Sequence, residues 1–152
     1  DILASFITLI HKDKTLSFID KAMTEQKIPI TDDNRCHYMM NPGGIVWESM
    51  NALATAFRQK QQHHIHFIQY DDLVSNPSQE IAKLHGFLEL DPFVYDFDNI
   101  VAKDREKDAE VYGLPTMHEV RKKVNKISKP YTEVLSAEVI NKYINYDFWN
   151  QQ

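Results

Sequence analysis

The chain has 152 residues, 43% of them hydrophobic and 26% charged, the size and composition of one globular domain, expected over residues 1–152. Its formal net charge of −5 argues against a dedicated nucleic-acid binder, which would usually be basic. No apolar run nears the roughly 20 residues that cross a bilayer, so no membrane contact is expected; a single cysteine, Cys36, excludes an internal disulfide and favours a reducing compartment such as the cytoplasm.

The apolar pattern is already running at Ile2 and Leu3, so the sequence reads as starting inside a helix or just before one, as a fragment would. Ile2, Leu3, Phe6, Ile7 and Ile10 fall at helical spacing and predict an amphipathic helix over residues 2–11. Leu16, Ile19 and Met23 suggest a second helix over about 14–26, which Ile28-Pro29-Ile30 ends, because the residue before a proline is pushed out of the α region. Asp32 and Asp33 are candidate N-caps for a short helix through Met40. Asn41-Pro42-Gly43-Gly44 is turn chemistry. It is no phosphate loop, which would need more glycines and a Lys-Ser/Thr pair after it. Val46, Met50, Leu53 and Phe57 predict a helix from 45 to about 61.

Residues 64–70 (HIHFIQY) contain a short apolar run that predicts a strand, with Ile65 and Phe67 on one face and His66, Ile68 and Tyr70 on the other. Helix, strand and helix in succession suggest a parallel α/β sheet, whose ligands sit beyond the strands' carboxyl ends, here at Tyr70. Asn76 is a candidate N-cap and Pro77 suits the first helical position; Ile81, Leu84 and Leu88 give the next helix its buried stripe. Residues 91–104 mix aromatic and acidic side chains without a period, predicting an ordered irregular wrap. Residues 103–110 are a solvated charge run, and Gly113-Leu114-Pro115 is a turn. Residues 121–129 (RKKVNKISK) carry five positive charges and no negative one. Ser136 is expected to cap a last helix, in which Val139 with Tyr143 and Ile140 with Ile144 make i,i+4 pairs. Asp147-Phe148-Trp149 supplies closing apolar anchors.

Several side chains invite a chemical reading. His64 and His66 share a strand face, but no cysteine or carboxylate cluster stands at ligand spacing, so no metal site is expected. Asp71 and Asp72 could act as general acids or bases; carboxylates after a strand more often cap a turn or hold a basic side chain. The basic run is either a solvated surface or an anion clamp, with Arg121 gripping phosphate through its fork. Ser5 lies in an apolar helix, where most serines pack or bond back to the preceding turn.

Tyr70-Asp71-Asp72-Leu73, then Asn76-Pro77, then a helix ending Gly86-Phe87-Leu88, resembles the Y-E/D-D-L…P…FL segment of sulfotransferases, which use 3'-phosphoadenosine 5'-phosphosulfate (PAPS). Residues 1–6 (DILASF), 93–100 (FVYDFDNI), 113–121 (GLPTMHEVR) and 146–149 resemble further segments of one bacterial branch, in the same order. The resemblance implies the P-loop-NTPase-like three-layer α/β fold of that family, represented here by its C-terminal portion, mostly helical with one or two strands. It implies that Ser5, Tyr70 and the region of His118, Arg121 and Lys122 bind the 3'-phosphoadenosine end of the cofactor, although the family's usual Arg-Lys-Gly string is absent. The family's phosphosulfate-cradling loop and usual catalytic base lie towards its N-terminus and have no counterpart in these residues, so no catalytic residue is assigned. The function implied is sulfuryl transfer from PAPS to a hydroxyl or amine of a small-molecule acceptor, with these residues inactive alone; the alternative is a non-enzymatic helical interaction module on the same scaffold. An unpaired edge along residues 64–70 would favour a homodimer.

Overall fold

The computed structural model describes residues 1–13, 17–102 and 120–146. The expectations for residues 103–110, for the turn at 113–115, for His118 and for the anchors at 147–149 lie outside them. In chain order the helices are α1 (Ile2–Asp13), α2 (Ser17–Glu25), α3 (Asp32–Met40), α4 (Ile45–Arg58), α5 (Tyr70–Ser75), α6 (Pro77–Phe87) and α7 (Ala137–Tyr143), with 3-10 turns at Gln62–His64 and Tyr131–Glu133. The chain divides into two compact units: Asp1–His63 with Ser128–Gln152, and His64–Ile127.

The first unit is organised by α3. Its Cys36, Met39 and Met40 are buried, and it touches α1, α2, α4 and α7. Around it close Leu3, Ile7 and Ile10 of α1, Ile19 and Met23 of α2, Val46 of α4 and Val139 of α7. These are the positions that helical spacing marks as apolar, and each large side chain removed from water contributes about 1.5–3 kcal/mol. Burial pushes the Cys36 thiol up to about 12, with the nearby charges of Asp33 and Asp32 adding to the effect; Cys36 is a core side chain, not a reactive thiol.

In the first unit the expected cap of α7 is present and that of α3 shifts by one residue. Ser136 caps α7 by accepting from the Val139 N–H at 3.3 Å. The cap of α3 is Thr31, which accepts from the Asn34 N–H at 3.2 Å, so Asp32 and Asp33 fall inside the first turn. There their charge still favours the helix N-terminus, and Asp32 serves a different purpose, described below. α4 stops at Arg58 rather than near 61 because Lys60 turns left-handed (φ 57°) and the Gln61 N–H reaches back to the Ala56 carbonyl. Lys27 and Glu89 end α2 and α6 in the same way.

The expected strand over residues 64–70 is not formed. The segment opens in a 3-10 turn, runs irregularly through 65–69 and ends in α5, so Tyr70 starts a helix instead of closing a strand. No residue among those described is in a strand. A strand exists only as one side of a ladder, and Ile65, His66 and Ile68 make no backbone–backbone hydrogen bond among the described residues. Gln69 is extended (φ −75°, ψ 131°), and Asp71 and Asp72 sit in the first turn of α5, where their charge suits a helix N-terminus. Apolar content made the segment strand-like; pairing decides whether it becomes one.

In the second unit α5 packs on α6. Asn76 and Pro77 start α6 as expected, but the Asn76 side-chain amide donates to Gln79 Oε1 at 2.7 Å instead of capping an N–H. Glu80 is buried and paired with Lys83. Every fully buried hydrophobic side chain among the described residues lies in the first unit. The second unit is held by half-buried contacts and polar ties, the composition of a region that opens at low cost.

Candidate functional site

In the second unit Tyr70 meets the C-terminal end of the basic run, and Arg121 and Lys122 lie at the run's other end. Gln69, extended, delivers Tyr70 to the start of the helix. The Tyr70 hydroxyl accepts from the Ile127 N–H at 3.4 Å, and one residue earlier Lys126 reaches Asp71 at 2.7 Å. At its other end the run is tied to the aromatic-acidic segment. The Ile100 N–H donates to the Lys122 carbonyl at 2.7 Å, the Val124 N–H to the Phe97 carbonyl at 3.0 Å, and Lys123 meets Asp98 at 2.5 Å. The Asp98 hydrogen bond and charge raise the Lys123 pKa.

Two of the five cations in the run are therefore occupied by structural carboxylates, and Asp71 takes the role of holding a basic side chain. The other three, Arg121, Lys122 and Lys129, are exposed, and none makes an ion pair among the described residues. These ion pairs are exposed and individually weak; together with the backbone bonds they fix where the segment lies. What results is a half-exposed phenol beside an anchored segment, with three cations of the run making no ion pair among the described residues. That arrangement can hold an anion; no nucleophile–base pair accompanies it.

Ser5 lies in the first unit, exposed on α1, and its hydroxyl makes no hydrogen bond among the described residues. It does not bond back to the preceding turn, as Thr8 does to the Ala4 carbonyl at 2.8 Å. Among the described residues no group of three or more His, Cys, Asp or Glu is placed to hold a metal ion. His66 stacks on Phe87, 5.2 Å between ring centroids, with its Nε2 buried and without a hydrogen-bond partner among the described residues.

Sequence reasoning missed three polar clusters. Arg35 donates through Nε and Nη2 to both oxygens of Asp20 (2.8 and 2.7 Å) and through Nη1 to Asp32 (2.7 Å), while His11 Nε2 lies 3.0 and 2.9 Å from the two Asp32 oxygens. The Arg35 hydrogen bond holds the Asp20 carboxyl below its ordinary range. At Asp32 burial opposes the shift, and the hydrogen bonds from His11 and Arg35 outweigh it. His37 Nδ1 lies 2.9 Å from the Tyr143 hydroxyl, with Glu138 at 3.5 Å from Nε2. His85 bonds the Asp91 carbonyl through Nδ1 and the Tyr95 hydroxyl through Nε2, both at 2.9 Å, pinning the segment after α6. Only the i,i+3 spacing of Asp32 and Arg35 matched a helical repeat; the other pairs join positions six or more residues apart.

A family model described as "Sulfotransferase domain" matches residues 20–146. The chain belongs to the sulfotransferase family, whose fold is α/β and P-loop-like. Tyr70, His118, Arg121 and Lys122 lie inside the matched region and Ser5 before it. No curated protein and no solved structure matches the chain. Among the described residues no helix is long and apolar enough to cross a membrane.

Proposed function

We propose that the chain serves PAPS-dependent transfer of a sulfuryl group to a hydroxyl or amine of a small acceptor, and that these residues grip the 3'-phosphoadenosine end of the donor. The observation that carries this reading is the family match across residues 20–146. The exposed Arg121 and Lys122 on an anchored segment support it, since cations already tied to carboxylates would have little attraction left for a phosphate. Arg121 and Lys122 pair with the 3'-phosphate, with His118 beside them in sequence, and the Tyr70 ring lies against the nucleotide; Ser5, in the first unit, keeps the donor-binding role that the family resemblance implies. These residues bind and position. The in-line displacement at sulfur draws its charge stabilisation from a phosphate-cradling loop, for which the 152 residues show no motif, so binding without turnover is expected of them. The cytoplasm is the compartment we assign.

A thermal-shift titration with 3'-phosphoadenosine 5'-phosphate tests the proposal. A ligand that binds only the folded state adds about 2.7 kcal/mol at one hundred times its Kd. A saturable rise is expected, weakened at least tenfold in Arg121→Ala/Lys122→Ala. No shift at millimolar nucleotide refutes nucleotide binding, and sulfation of a phenol by the purified chain refutes its expected inactivity. The second reading, a helical interaction module, is favoured by the exposure of Phe93 (68%) and Val94 (93%) in the second unit. The dimer through residues 64–70 remains part of the proposal, supported by the unpaired backbone of Ile65, His66 and Ile68 among the described residues; a monomeric mass in light scattering at high concentration rules it out.

A further inference from the structure

The core side of α4 is set by Val46 and Met50. Beside it runs a second stripe, Trp47, Asn51, Ala54 and Arg58, at the i, i+4, i+7, i+11 spacing of one helix face. That stripe, with Met50 and with Asn145 after α7, lines an open cavity of about 310 Å³ in the first unit. The volume is at the small end of ligand-sized pockets. Trp47, Met50 and Ala54 supply apolar surface, Asn51, Arg58 and Asn145 supply polar atoms, and no Asp or Glu lines the cavity.

Arg58 is positioned without being neutralised. The Thr55 hydroxyl gives its proton to the Asn51 carbonyl at 2.8 Å, so its oxygen is left to accept from Arg58 Nη2, also at 2.8 Å. The Asn51 side-chain oxygen accepts from the same nitrogen at 3.4 Å. Both acceptors are uncharged, and Nε and Nη1 have no partner among the described residues. Arg35 makes the contrast, with its charge met by two carboxylates. The exposed Asn145 adds amide donors to the same cavity. One cation without a counter-charge, beside an indole, suits a single negative charge on a flat apolar body. A second negative charge would find nothing to meet it, and a cationic ligand would be repelled.

We propose that this cavity binds a flat aromatic molecule carrying one carboxylate, its ring against Trp47 and Met50 and its carboxylate accepting from Arg58 and Asn145. A ligand with no hydroxyl or amine accepts no sulfuryl group, so it occupies the fold as an effector does and not as a substrate. Because Arg58 is exposed, the ion pair adds only a few-fold to affinity, and ring contact supplies the rest. The site uses residues of the first unit alone and needs no nucleotide, so its failure would leave the nucleotide reading standing.

The probe is 2-naphthoate, titrated into the full chain carrying ¹³C-methyl methionine and followed by NMR. Met50 lines the cavity. Met40 lines an adjacent aliphatic cavity that Met50 also borders, and fully buried Met23 borders neither, so these two report a misplaced ligand and a global change. A saturable shift at Met50 with Met40 and Met23 unmoved is expected. 2-Naphthamide, the same ring without the charge, should bind about fivefold more weakly, and added salt should narrow that gap. Arg58→Gln should bring 2-naphthoate down to the affinity of 2-naphthamide while leaving the amide unchanged. The proposal is overturned by the lack of a saturable Met50 shift at millimolar 2-naphthoate, by shifts at Met40 or Met23 as large as at Met50, or by equal affinity for the amide. So is it by a folded Arg58→Gln chain that binds 2-naphthoate as the parent does. Should that variant fail to fold, the comparison of naphthoate with naphthamide on the unaltered chain decides.

Discussion

Arg35 of α3 holds Asp20 of α2 and the Asp32 that also meets His11 of α1, and its removal gives the sharpest test of the first unit's energetics. Its side chain is 12% exposed, whereas the carboxylates it holds, Asp20 and Asp32, are 33% and 37% exposed. The pair is neither a surface salt bridge, worth about 0–1 kcal/mol, nor a fully buried one, whose breaking costs about 3–5 kcal/mol. The geometry, bidentate to Asp20 with a third bond to Asp32, places Arg35→Met between these limits, at about 2–3 kcal/mol, or a fall in Tm of about 5–10 °C for a protein of this size. The pH dependence separates lost charge pairing from lost packing. Both carboxyls titrate below their ordinary value of 3.8 in the folded state, so their contribution is complete above the unfolded pKa and is lost as pH falls through the lowered folded values. The gap between parent and variant should therefore be widest near neutral pH and shrink below about pH 4. Urea melts followed by far-UV circular dichroism at a series of pH values measure it. A variant within 0.5 kcal/mol of the parent (about the scatter of ordinary surface substitutions), or a gap that does not change with pH, would refute the reasoning.

Two further predictions concern the backbone. A Cβ on Gly44 would stand 2.4 Å from the carbonyl oxygens of both Tyr38 and Met39, at the close approach of α3 and α4, so Gly44→Ala should cost about 2–3 kcal/mol; Gly86, with nothing within 4 Å of where an alanine methyl would stand, should gain up to about 1 kcal/mol as alanine inside α6. Paired thermal melts of these alanine variants check both signs at once. The helix-ending residues Lys27, Lys60 and Glu89 hold left-handed φ values of 59°, 57° and 54°, and glycine at any of them should leave stability unchanged or raise it by about 0.5–1 kcal/mol, because the relieved strain exceeds the added freedom of the unfolded chain. Loss of stability in all three glycine variants would show that their side-chain contacts outweigh the backbone strain.

The helices were legible because their signals are local. Leu3, Ile7 and Ile10 share one helix face at a spacing that any amphipathic helix would show, and Ser136 is an N-cap by position alone. The shift from Asp32 to Thr31 as cap of α3 has a physical reason too: both Asp and Thr can accept from an N–H two or three residues ahead, and the choice falls to whichever is left over from other work. Asp32 is drawn to His11, in another helix, and to Arg35, one turn further along its own, so the cap passes to Thr31. The strand over residues 64–70 failed for the opposite kind of reason. Its apolar content is real, but a helix satisfies its own backbone whereas a strand needs a neighbour, and no local pattern supplies one. The basic run lay between those cases. Five cations in the run could be counted from the sequence; which two would be taken up by Asp71 and Asp98, leaving Arg121, Lys122 and Lys129 without an ion pair among the described residues, depended on where the segment docked. The capacity of such a segment to hold an anion is thus set less by its total charge than by the carboxylates that have already claimed part of it. The same reasoning explains why removing Asp71 or Asp98 should strengthen attraction for phosphate while loosening the segment that presents it.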